Sequence, residues 1–177
     1  MEYSFLCMLP EPDGKGVVIP AVDDLLDYHH DVAAGVVVLD AYIANPDRAP
    51  EDMLVIAAEG GTRLRVFNHE RSLFGTAVGM GDTRLIENLD VVSLDGSGNA
   101  LQHPLLDAIY DAGLLNKWCL RLLESPTWLI EEIVTDAVTY GGVSMHEGEM
   151  LDEFLSLRRS ALPKMLHDLR RRIWLFT

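Results

Sequence analysis

Cysteine is nearly missing from this chain: Cys7 and Cys119 are the only thiols in 177 residues. Two thiols build neither a disulfide framework nor a thiolate zinc site, so a reducing, cytoplasmic setting is expected. Long apolar runs are missing too. The longest, Val32–Leu39, falls far short of the roughly 20 residues a spanning helix needs, so no membrane contact is expected. No basic region precedes the first apolar stretch, so nothing reads as a secretory leader. Basic residues are scarce, 14 against 28 acids, for a net charge of −14. Such a surface repels phosphate backbones, which argues against nucleic-acid binding. There is no internal repeat, low-complexity tract or domain linker.

What is present is apolar content: 49% hydrophobic, spread along the whole length, enough for one domain over residues 1–177. The expected class is mainly α with a small β-hairpin (α+β). Tyr3–Leu9 reads as an extended lead-in, and Pro10–Pro20 as a loop. A short helix at Asp23–His30 is followed by a buried, Ala-rich helix over Asp31–Ala44, although Val36-Val37-Val38 leans toward strand. Asn45-Pro46-Asp47 is a turn signal. Two β-type runs, Met53–Ala58 and Arg63–Asn68, flank Gly60-Gly61, a hairpin turn. Beyond Gly81 only helices are expected, at Asp82–Leu89, Pro104–Ala112, Leu114–Leu123, Thr127–Tyr140 and Glu147–Arg172. Pro126 suits the first helical position, Gly141-Gly142 a stop, and Pro163 a break or kink.

The charge is uneven. Residues 1–60 set twelve acids against Lys15 and Arg48, a balance of −10, whereas 158–177 set six basic residues against Asp168, a balance of +5. The plain expectation is a solvated helix face whose positive charge suits its own C-terminal dipole. Ile173-Trp174-Leu175-Phe176 either docks on the core or meets another chain, so a protein partner or homo-oligomer is expected. Trp118, Trp128 and Trp174 read as core or interface anchors. Adjacent His29 and His30 point about 100° apart on a helix and rarely share a metal. His146-Glu147-x-Glu149 lacks the second histidine of a zinc-protease helix.

The segment with chemical content runs from Asp40 to Gly75. A buried helix leads into Asn45-Pro46-Asp47-Arg48, another acid follows at Asp52, and the hairpin ends in Phe67-Asn68-His69-Glu70-Arg71-Ser72-Leu73-Phe74-Gly75. A helix that delivers an aspartate on a loop, beside a hairpin that returns a second oxygen ligand, suits phosphoryl transfer. The plainer alternative is an ordinary turn in which Asp47 caps backbone amides.

Over residues 33–75 the chain resembles the HipA-like kinases and, more distantly, the phosphoinositide-kinase-like fold. That family carries Asp-x-x-Ile-x-Asn-x-Asp-Arg-His-x-x-Asn, a hairpin, then Ile-Asp-His-Gly-x-x-Leu-Phe-Gly. The resemblance implies a protein-kinase-like C-terminal lobe, with 40–75 as its catalytic-loop-like segment and 82–173 as its helical remainder. It makes Asp47 the catalytic aspartate and Asp52 and Asn68 the metal ligands. Three departures accompany it: Ala49 replaces His, Asp52 replaces Asn, and Asn68 replaces Asp. The last two are complementary, so one carboxylate and one amide remain. Nothing before residue 33 resembles a glycine-rich phosphate loop, and Gly14-Lys15-Gly16 lies in a Pro-rich stretch. The expectation is therefore a pseudokinase-like, protein-binding remnant. Magnesium and ATP enter only if the site still functions, as in a phosphotransferase completed by a second chain supplying the N-terminal lobe. An accidental resemblance on an unrelated helical domain is the third reading.

Overall fold

The computed structural model describes residues 17–18, 30–45, 48–58, 61–69, 72–73, 103–106 and 108–173. Asp47 lies outside the described residues. So do Tyr3–Leu9, the helix expected at Asp23–His30 except for His30 itself, the one at Asp82–Leu89, and the apolar residues after Ile173. The described chain is mainly helical with a small antiparallel sheet.

Helix α1 (His30–Tyr42) is central. Its β-branched valines do not prevent a helix, because packing overrides weak local propensity. Ala33, Ala34, Val36, Val37, Val38, Ala41 and Tyr42 are all buried. The helix ends in a Schellman turn. Asn45 N–H donates to Asp40 C=O at 2.9 Å, and Ala44 sits at φ 52° where glycine is usual.

The sheet contains β1 (Val17–Val18), β2 (Met53–Ala58) and β3 (Gly61–Val66), in that order and antiparallel throughout. The β2 bounds are those expected. β3 starts two residues earlier than expected, and β1 falls inside the stretch expected to be loop. Its pairing of Val17 with Val55 supplies what that stretch lacked locally, a partner edge. Met53 pairs with Val66, and Phe67 N–H continues the ladder onto Asp52 C=O at 3.0 Å.

The helix expected at Pro104–Ala112 is instead a series of tight turns. Leu106, Ala108 and Ile109 each donate three residues back, to His103, Leu105 and Leu106. This compact path sends Leu105, Ala108 and Ile109 into the core. Asp111 then caps α2 (Ala112–Glu124), its Oδ1 accepting from Gly113 N–H at 2.7 Å. At Gly35 of α1, an added Cβ would stand 2.8 Å from Trp118 Cε2, so the bare glycine backbone is what lets α2 approach.

Helix α3 (Thr127–Tyr140) has the expected bounds, with Pro126 at the cap rather than inside. Trp128 is 58% exposed, so of the two readings, core or interface anchor, the core one does not hold for it. Helix α4 (Met145–Ile173) starts two residues early because Ser144 and Glu147 form a capping box. It runs through Pro163 without stopping. One backbone bond is lost there, but Leu162, Met165 and Leu166 are buried alongside and hold the helix in place.

The basic end of the chain is not simply a solvated face. Arg158 is buried and donates to the Ala41 and Tyr42 carbonyls at the C-terminus of α1. Arg159 donates to Leu123 and Ser125 carbonyls at the C-terminus of α2. Consecutive arginines of α4 thus satisfy the orphan carbonyls of two other helices. Burial lowers the Arg158 pKa to about 10.

Candidate functional site

Asp40 lies in the last turn of α1 and is fully buried. A lone carboxylate there would be doubly disfavoured, by desolvation and by the negative end of the helix dipole. Three side chains answer it. Arg48 binds it in a fork, Nε to Oδ2 at 2.8 Å and Nη2 to Oδ1 at 2.7 Å. Asn45 Nδ2 donates to Oδ1 at 3.0 Å, and His103 Nε2 stands 3.0 Å from Oδ2. His103 Nδ1 accepts from Leu105 N–H at 3.2 Å, so Nε2 carries the hydrogen and donates to the carboxylate. Burial pushes the Asp40 carboxyl up, but the hydrogen bonds from Arg48 and His103 outweigh it and hold the pKa down at about 2.

Arg48 reaches further. Its Nη1 donates to Phe67 C=O, and its Nη2 to His69 Nδ1 at 3.0 Å. Because a guanidinium only donates, His69 Nδ1 must accept, which keeps that ring neutral with its hydrogen on Nε2. Burial, then the Arg48 charge, lowers the His69 pKa. One cation therefore joins the end of α1, the exit of the hairpin and, through Asp40, the turn at His103. The surrounding backbone is strained. Ala44, Asn68 and Leu73 are non-glycine residues at φ 52°, 59° and 56°, and Leu73 N–H donates to Ile43 C=O at 3.0 Å. Beside them, Asn45 Oδ1 and Ser72 Oγ are buried without a hydrogen-bond partner among the described residues.

The sheet register brings together two of the three residues singled out in the sequence. Asp52 and Phe67 are paired through the ladder, so Asn68 follows directly at the open end of the hairpin. Its Nδ2 donates to Asp52 Oδ1 at 2.9 Å, while Ala49 N–H donates to Asp52 Oδ2 at 3.0 Å. Each Asp52 oxygen therefore already accepts a hydrogen bond. The amide turns its N–H toward the carboxylate and its oxygen elsewhere, since reversing it would set oxygen against oxygen. As arranged, Asn68 presents an N–H rather than an oxygen to the carboxylate with which it would share a metal. No group of three or more His, Cys, Asp or Glu able to hold a metal occurs among the described residues.

The chain reading missed Asp40 and His103 as partners. Asp40 carried a signal, a lone acid closing a strongly apolar helical run. His103 carried none, lying 63 residues away. No helix among the described residues is long and apolar enough to cross a membrane. The chain matches no protein-family model, no curated protein and no solved structure.

Proposed function

We propose that this protein is a non-catalytic, kinase-lobe-like module whose role is to bind a protein partner. The observation that supports this reading is the closed Asp52–Asn68 pair. At the point where the resemblance expects oxygen ligands, an amide N–H satisfies a carboxylate. The Asp40–Arg48 tie beside it keeps the loop architecture, with four of the five Arg48 N–H groups directed at Asp40, Phe67 and His69. The test is a thermal-shift titration with ATP and magnesium. Ligand at 100 times its dissociation constant would stabilise the fold by about 2.7 kcal/mol, a readily visible rise in Tm. No shift is expected in the wild type.

A second reading is a phosphotransferase completed by another chain. It is favoured by the meeting of Asp52 and Asn68, 16 residues apart in sequence. A magnesium-dependent shift that disappears in Asp52→Ala, with ATP turnover that disappears in Asp47→Ala, would replace the first reading by this one.

A further inference from the structure

Helix α3 is an unusual member of the fold. Of its 14 residues only Ile130 is buried, and its acids, Glu131, Glu132 and Asp136, are matched by no Lys or Arg. Between α3 and α4 lies an open groove of about 390 Å³ that shares no residue with the Asp40 cluster. Its apolar lining is Val134, Val138 and Met145, the last 75% exposed. Gly148 contributes no side chain, and a Cβ there would stand 2.5 Å from Val138 Cγ2, so α3 and α4 pack closely at this point. Glu131, Glu149 and Asp152 line the groove, and the described lining contains no cation.

An apolar lining between carboxylates is complementary to a helix with an apolar stripe flanked by Lys and Arg. The same charges argue against a dimer that sets two such grooves face to face, because it would oppose acid to acid. We infer that the α3–α4 groove receives a basic amphipathic helix from a partner protein. This names the partner chemistry of the protein-binding role proposed above and rests on it, but it does not depend on the resemblance to a kinase lobe.

The test uses the full chain and a fluorescein-labelled helical peptide of Leu and Lys, with a Leu/Glu peptide of the same pattern. Fluorescence anisotropy should show the Leu/Lys peptide binding at least about tenfold more tightly, with an affinity that falls as salt rises. Reversing two groove carboxylates, Glu149→Lys with Asp152→Lys, should weaken it at least about tenfold. So should Thr139→Arg, which places a cation on the groove wall. Circular dichroism checks that each variant keeps its helices. The control is an equal charge change elsewhere, Glu51→Lys with Glu124→Lys, which should alter affinity less than about twofold. Equal weakening by the groove and control pairs would overturn the assignment, because only general attraction to an acidic protein would remain. Equal binding of both peptides, or of neither, would overturn it as well. These outcomes leave the ATP titration untouched, so failure of the groove and failure of the non-catalytic reading are separable.

Discussion

Helix α1 carries an aspartate near each end, and the two live in opposite conditions. At the N-terminus Asp31 favours the helix dipole and meets Lys117 at 2.7 Å, with side chains 42% and 45% exposed. At the C-terminus Asp40 opposes the dipole and meets Arg48 at the same distance, with side chains 0% and 1% exposed. Distance alone does not separate these pairs; solvent does. Water screens the first pair and would replace either partner at little cost. In the second, each partner is the other's principal source of solvation, so removal of one strands the other.

The largest expected effect follows from that stranding. Asp40→Leu or Arg48→Met alone should destabilise by roughly 3–5 kcal/mol, because a buried charge is left unpaired. Asp40→Leu combined with Arg48→Met should cost less than either single change, which urea denaturation can measure as a coupling energy. Additive losses would mean that the pair behaves like the exposed one. Next in size is Gly35→Ala, where the new methyl meets Trp118 and overpacking should cost about 1–3 kcal/mol.

Acid should act on the buried cluster in two steps. The folded pKa of His69 lies below its usual 6.5, so the unfolded chain binds that proton first. Stability from this group is full above about pH 6.5 and is lost as pH falls toward the folded value. Asp40 behaves likewise lower down: its contribution is present above its ordinary 3.8 and is lost as pH falls through about 2. The urea midpoint should therefore fall in two stages, and His69→Gln should remove the upper one. The smallest effect is at the exposed end. Lys117→Met should change stability by less than about 1 kcal/mol, and added salt should erase the difference.

The same contrast marks what sequence could reveal. The bounds of β2 and α3 were legible because they are local patterns. So was the approach of Asp52 to Asn68, since a short hairpin fixes which residues meet at its open end. The turns at 104–111 were not legible, because their apolar residues fit a helical stripe equally well. His103 gave no warning, since nothing near it calls for a partner that lies on α1. Arg158 was misleading: within a basic run it resembles a surface residue, and only the end of α1 gives its burial a purpose.

Arg158 and Arg159 also bear on the order in which a ribosome makes this molecule. The carbonyls of α1 that Arg158 satisfies emerge 116 and 117 residues before it does. Those that Arg159 satisfies emerge 34 and 36 residues before it. The central helix is made early but completed late, and until α4 arrives its final turn must rely on water. Contacts that distant in sequence form slowly and couple distant parts into one transition. Nascent α1 is therefore an apolar segment awaiting its clasp, a state in which chaperones would find it.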